Sequence, residues 1–280
     1  MLDFGSKILH QSGSFPATLN AKWLHGLPAR YMNAIVEATI ASGNTHFKDF
    51  PGYVFNDPTK TFDTEEKTVF EGPTDATGSA SFSPSFNVGT RAPGMLTAQF
   101  KTRVFEKGGD FSVDRYTIPY SPYKGYVGVK VPEGKGWNGA LYSNEPNVIS
   151  VVTVNENGDP VNRNALKIQI FSVSWRWWWE HNDDYDLARY VRNTHNNLLK
   201  TDYVDTKDGK ALYQMNLGGN YYGRKLILIT DPATGHTTGQ TFYTTYKGWW
   251  DNNGGDNPGG AEMLVFNTNK NNIALAKRYR

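Results

Sequence analysis

Between Trp175 and Trp179 the chain reads Trp-Arg-Trp-Trp-Trp, at the end of an extended run from Leu166 that has no helical periodicity. Residues two apart on a strand point the same way, so Trp175, Trp177 and Trp179 share one face over about 13 Å, with Arg176 and Trp178 on the other. Three bare indoles would expose roughly 600 Å², near the ceiling for a soluble monomer. The fold must therefore set something against this strand. Three readings meet that demand: a sandwich core with a domain interface, a platform on which sugar rings or a partner stack, or aromatic packing with no role beyond stability. Burial is the preferred one, with the odd-numbered indoles better covered than Trp178, because burying an indole contributes roughly 4–6 kcal/mol by area. Trp175, Trp177, Trp178 and Trp179 stand as the candidate interaction surface.

Period-two apolar alternation punctuated by Gly, Pro, Asn and Asp recurs along the rest of the chain and predicts strands throughout. They fall near 18–24, 32–40, 67–71, 79–83, 95–106 and 111–120, then 125–131, 148–154, 166–179, 199–204, 211–217, 224–230 and 238–246. Lys107-Gly108-Gly109-Asp110, Asp75-Ala76-Thr77-Gly78 and Asn157-Gly158-Asp159-Pro160 mark turns between them. The long loop 43–63 carries His46, Phe47, Phe50, Tyr53 and Phe55, which predicts that it packs onto a sandwich. Within the Leu166 run the apolar parity changes, from Leu166, Ile168 and Ile170 to Phe171, Val173 and Trp175. Such a slip requires a β-bulge or a switch of sheet near Ile170.

Pro119-Tyr120-Ser121-Pro122-Tyr123 interrupts ladder pairing, and the domain boundary is placed there. Seven predicted strands in the roughly 125 residues that follow match a fibronectin-like or immunoglobulin-like sandwich. The expected fold is all-β, with tandem sandwiches over 1–121 and 122–250. A linker and the first strand of a following domain, near 263–266, occupy 251–280.

Aromatic residues at 14% and charged residues at only 20% suit large side chains between sheets rather than disorder or a coiled coil. A net charge of +2 without a basic stripe argues against a nucleic-acid partner. The absence of cysteine excludes disulfides, thiolate metal sites and a cysteine nucleophile. No apolar run approaches the roughly 20 residues that span a bilayer. The start lacks a signal peptide's basic and apolar regions, so the chain reads as a piece of a longer exported protein.

Four segments together resemble a known family. They are Trp23-Leu24-His25-Gly26-Leu27-Pro28-Ala29, Tyr120-Ser121-Pro122-Tyr123, the stretch from Ser174 through the tryptophans to Glu180, and Asp231-Pro232-Ala233-Thr234-Gly235-His236. In this order, and over the chain from about Ala17 onward, they resemble bacterial alpha-2-macroglobulins. The resemblance implies two adjacent middle macroglobulin domains, each a fibronectin-like sandwich, from a large protease trap of the periplasm or cell envelope, with or without a lipid anchor. The expected partners are neighbouring macroglobulin domains of the parent chain and, through the full-length protein, proteases. Covalent members carry a thioester between a cysteine and a glutamine, which a chain without cysteine cannot form, and no bait-like segment is visible. The expected role is scaffold, and the alternative is a carbohydrate-binding pair of sandwiches using the tryptophan run.

Chemistry searched for independently of the resemblance is sparse. No zinc-protease helix motif, nucleophile elbow or phosphate loop occurs, so neither an enzyme nor a cofactor is expected. Glu180, His181, Asp183, Asp184 and Asp186 offer hard ligands, but a loop cluster of this kind is usually solvated, and no metal is assigned. The run from Asp251 to Asp256 begins like a calcium loop with its glycine misplaced. His236 is expected to bond to backbone, and His25 to be structural.

Overall fold

In the first half of the chain, alternation builds the central strands. The computed structural model describes residues 1–11, 15–173, 198–218 and 221–247. Strand β4, Asn33–Ser42, buries Ala34, Val36, Ala38 and Ile40. Strand β7, Leu96–Phe105, buries Leu96, Ala98, Phe100 and Thr102. In their antiparallel register Ala38 faces Phe100 and Ile40 faces Ala98, so small and large side chains alternate across the pair and fill one layer.

Around this pair lie β1 (Leu2–Asp3), β2 (Leu9–His10), β3 (Ala17–Asn20), β5 (Glu65–Pro73), β6 (Ser79–Phe82) and β8 (Phe111–Ser121). They form one sheet in the order β2-β8-β7-β4-β5 and a second in the order β1-β3-β6. The two-residue strands β1 and β2 were not expected, because so short a stretch carries no period. The strand expected over 18–24 stops at Asn20, where the chain turns into a hydrogen-bonded loop that begins at Ala21.

Strands drawn from residues 125–245 make the other two sheets. These are β9 (Gly125–Lys130), β10 (Leu141–Tyr142), β11 (Asn147–Asn155), β12 (Leu166–Ser172), β13 (Leu198–Val204), β14 (Lys210–Met215), β15 (Gly223–Thr230) and β16 (Thr237–Thr245). Their orders are β14-β11-β9 and β10-β16-β15-β12-β13. Val127, Val129, Ile149, Val151, Ile168 and Ile227 belong to the core between them. The fold is the all-β tandem of sandwiches that the alternation predicts.

The parity change has a two-part cause. Between Ile170 and Phe171 the pairing of β12 with β13 shifts, so that Leu199 on β13 is the extra residue. The pairing of β12 with β15 runs through the same point without a shift. Ile170 faces the sandwich core, whereas Phe171 and Val173 join Leu226 and Leu228 in a separate buried cluster. The strand therefore does not slip. Both of its faces are covered at this end, and both parities read as apolar.

The expected continuation of this strand to 179, the linker near 251–260 and the strand near 263–266 lie outside the described residues. Among the described residues no helix is long and apolar enough to cross a membrane.

Candidate functional site

The site with the most chemistry is the junction where β8 passes into β9. Ser121 at the end of β8 donates through Oγ to the Tyr123 carbonyl at 2.7 Å and shares a hydrogen bond with the Tyr126 hydroxyl at 2.7 Å. This knots the turn and fixes Tyr123 and Tyr126 edge to face at 5.9 Å. Both tyrosines are buried, and burial holds both phenols above their usual pKa.

The loop 43–63 closes the junction from the side of the first sandwich. The Asn56 amide ties its neck, donating to the Gly43 carbonyl and accepting from the Thr45 N–H, each at 3.0 Å. Phe47 and Phe55 meet edge to face at 4.8 Å, and Phe47 also reaches Tyr126 at 5.6 Å. Phe55 sits over Gly128 of β9, where a Cβ would lie 2.5 Å from the ring. Glycine is thus the residue that lets this ring reach the strand backbone.

Past Phe55 the loop becomes a strap. Val54 exchanges two backbone hydrogen bonds with Val129, at 2.8 and 2.9 Å. On its other side the Thr238 hydroxyl donates to the Val54 carbonyl at 2.8 Å, and the Gly239 N–H donates to the Asn56 carbonyl at 3.2 Å. A few residues from the first sandwich therefore stand between β9 and β16, strands that belong to the two facing sheets of the second.

The strap completes the outer edge of β9. Three outward N–H groups on this edge need acceptors, as a buried edge requires. Val127 donates to His236 Nδ1 at 3.0 Å, Val129 to the Val54 carbonyl, and Val131 to Gln240 Oε1 at 3.0 Å. Two side chains and a strap replace a neighbouring strand. His236 is delivered by the turn that precedes β16. Asp231 accepts from the Ala233 N–H and the Thr234 hydroxyl, each at 2.9 Å, and Gly235 adopts a left-handed φ of 72°.

His236 has no exposure to solvent and lies edge-on to Tyr123 and Tyr126. Burial, and then the Lys60 ammonium, push its pKa down to about 3, against the opposing pull of the Phe55 carbonyl. The imidazole is therefore neutral, with Nδ1 as the acceptor. Asp57 in the loop is also buried and accepts from the Thr59 N–H at 2.9 Å and the Thr59 hydroxyl at 2.6 Å. Burial raises its pKa, while Thr59 and Lys60 oppose the rise. Lys60, lowered by burial, stands 3.8 Å from Asp57 and donates to the Tyr123 hydroxyl at 3.2 Å.

These groups do not form a nucleophile with its base. Ser121 Oγ is engaged by Tyr126 and Tyr123, and His236 Nδ1 is occupied by a backbone N–H. Among the described residues no cluster of His, Asp and Glu is arranged to hold a metal ion. The arrangement can fix two sandwiches against each other, with its buried polar groups paired except for His236 Nε2, which has no hydrogen-bond partner among the described residues.

The two halves of the chain match two family models. Residues 2–122 match the bacterial alpha-2-macroglobulin MG5 domain, and residues 128–249 match bacterial macroglobulin domain 6. The chain belongs to the bacterial alpha-2-macroglobulin family.

Solved alpha-2-macroglobulins share the fold. The trypsin-activated protein from Escherichia coli is 14% identical with a TM-score of 0.55, over 90% of this chain and 17% of that one. The Salmonella protein reacted with methylamine is 13% identical with a TM-score of 0.51, over 88% of this chain and 16% of its own. The chain thus spans about a sixth of the length of these macroglobulins. No curated protein matches it by sequence.

Within this macroglobulin tandem, two of the four motif segments meet at the junction, Tyr120 to Tyr123 and Asp231 to His236. His236 bonds to backbone, as its turn suggested. His25 differs from expectation: it is exposed at a loop tip and supports no core. Trp175, Trp177, Trp178 and Trp179, with Glu180, His181, Asp183, Asp184 and Asp186, lie outside the described residues, as does the run from Asp251 to Asp256. The strap, Gln240 and the pair of Asp57 with Lys60 were not read from the sequence. Asn56-Asp57-Pro58-Thr59 did signal a turn, but nothing local shows that its partner lies more than 70 residues away.

Proposed function

We propose that this chain is a non-catalytic scaffold segment of a bacterial protease-trapping macroglobulin, made of macroglobulin domains over 1–121 and 122–250, with 251–280 leading to a following domain. The observation that carries the reading is the sealed edge of β9, where groups from both sandwiches satisfy one strand. Such a joint holds two domains in one orientation, as a scaffold requires when its parent encloses an attacking protease. The absence of cysteine leaves no sulfur leaving group for covalent capture, so trapping by the parent depends on chemistry or enclosure supplied elsewhere. Its setting is the periplasm or cell envelope. Its partners are the neighbouring domains and, through the whole protein, proteases.

The test incubates several endoproteases with the parent protein and with this chain, following cleavage of a small peptide and of a large protein substrate. The parent is expected to suppress protein cleavage and spare the peptide, while the chain alone leaves both unchanged. Selective protection by the chain alone, or a protease adduct that survives denaturing electrophoresis, would refute the scaffold role.

A further inference from the structure

A cleft of about 580 Å³ opens beside the junction, walled by both sandwiches. The first supplies residues on either side of β2, among them Phe4 and Phe15, and the second supplies Lys124, Asn155 and Glu156. The walls are held in place by the chain around them. Phe4 packs at 4.6 Å on Phe100 and stacks at 5.8 Å on Tyr116, and Phe15 meets Tyr120 edge to face at 6.3 Å. Strand β2 runs parallel to the end of β8, with Leu9 beside Tyr120 and His10 beside Ser121. Ser6 Oγ donates to the Ile8 carbonyl at 2.7 Å and holds the turn that leads into β2. On the other side, Asn155 Oδ1 accepts from the N–H groups of Asn157 and Asp159, each at 2.9 Å, and Gly158 takes a left-handed φ of 94°. The turn that carries Glu156 is thereby closed. A cleft of this volume is of the size that takes a small organic ligand.

Its polar groups lack partners. Glu156 is half-buried, and its Oε1 stops 3.6 Å short of His10 Nδ1. That nitrogen is shielded from solvent and has no hydrogen-bond partner among the described residues, a condition that costs stability until a partner is supplied. In the tautomer that leaves Nδ1 unprotonated, it and the carboxylate are two acceptors facing one gap. Lys124 is exposed, and its ammonium makes no ion pair or hydrogen bond among the described residues. Gly125 and Asn155 are the last paired residues of β9 and β11, so Lys124 and Glu156 flank each other one residue beyond the ladder. A cation and an anion thus stand side by side at the mouth of a cleft whose wall is apolar.

We infer that this cleft is a binding site for a free α-amino acid with a large apolar side chain, its ammonium held at Glu156 and His10, its carboxylate at Lys124 and its side chain against Phe4 and Phe15. The choice follows from charge. A ligand of one sign would meet a like charge at the mouth, and a wholly apolar one would strip water from both charges. An α-amino acid carries adjacent opposite charges on one carbon, as the mouth does, and its side chain has an aromatic wall to pack on. A bound ligand would touch both sandwiches and stabilise their joint by mass action. The inference is independent of the scaffold reading above.

NMR titration of the 280-residue chain with phenylalanine tests it, read at His10, Phe15, Lys124 and Asn155. Saturable shifts confined to the cleft are expected. N-acetylphenylalanine should bind about tenfold more weakly and phenylalanine amide about threefold, because Glu156 is half-buried whereas Lys124 is exposed. Alanine should bind about tenfold more weakly than phenylalanine for want of an apolar body. Glu156→Gln, at a residue that makes no hydrogen bond of its own, should erase the preference for a free amine and keep that for a free carboxylate. Absence of saturation by about 10 mM phenylalanine would overturn the inference. Equal binding of the acetylated and amidated forms, or of alanine, would equally overturn it.

Discussion

The two ends of the first sandwich are made of similar residues and meet opposite fates. At the junction end, Phe47, Phe55 and Tyr123 are buried, because β9 and β16 of the second sandwich lie over them and the strap 54–56 completes the contact. At the distal end, Leu24, Leu27 and Tyr31 in the hydrogen-bonded segment after β3, and Phe111 at the start of β8, are exposed. Loop rigidity is the same in kind; the difference is cover. The two ends thus differ in what covers them rather than in how their loops are tied.

The sharpest way to break this comparison is to remove an aromatic from each end. Phe55→Ala empties a buried site against Gly128 and should destabilise by about 3–5 kcal/mol in urea unfolding. Leu24→Ser, at a fully exposed tip, is the smallest effect and should stay within about 0.5 kcal/mol. A large loss for Leu24→Ser would mean that the distal loop packs onto this chain after all.

Between these extremes lies acid. The unfolded His236 side chain titrates near 6.5 and the folded one near 3, so between those values the unfolded state binds a proton that the native state refuses. Stability is whole above pH 6.5 and is lost as pH falls toward 3, by about 3 kcal/mol on reaching pH 4. Asp57, whose pKa is raised, acts in the opposite sense from its ordinary value upward, so the effect is read as the difference between the native protein and His236→Gln. Unfolding free energies at pH 7, 5.5 and 4 should converge for the two proteins as pH falls. Parallel curves would show that the imidazole is not held neutral.

A smaller effect is expected at Gly128→Ala, whose methyl would stand 2.5 Å from the Phe55 ring and must displace it, costing about 1–3 kcal/mol by chemical denaturation. In the Phe55→Ala background that penalty should vanish, since the new methyl then has room. A penalty that persists in the double variant would place its origin in the β9 backbone rather than in the ring.

Much of this architecture was legible in the chain, for reasons that also explain what was not. Strands such as β4 and β7 declare themselves because one face is core and the other is not, and that contrast is written at every second residue. The parity change near Ile170 reflected cover on both faces of β12, whereas the bulge at Leu199 left no mark on that strand, since a register belongs to two strands and the sequence displays one at a time. Two-residue strands such as β10 have no period to read. The junction was legible as a break, through Pro119 and Pro122, and as a turn, through Asp231 and Gly235. Its pairing was not: Val127 finds His236, and Val131 finds Gln240, each across 109 residues, and no local pattern announces an acceptor so distant. Val54 stands among turn residues and reads as loop because its strand partner comes from another sandwich.

The central claim is that the outer edge of β9 is sealed by His236, Val54 and Gln240, so that the two sandwiches behave as one piece. Amide hydrogen exchange at single-residue resolution tests it most directly. Tyr126, Gly128 and Lys130 point their N–H groups toward β11, while Val127, Val129 and Val131 point theirs at the junction. Protection of the same order in both sets is predicted, because neither can open without unfolding the joint. Fast exchange at Val127, Val129 and Val131 beside slow exchange at their three neighbours would show an edge that opens in the native state, and would contradict the account.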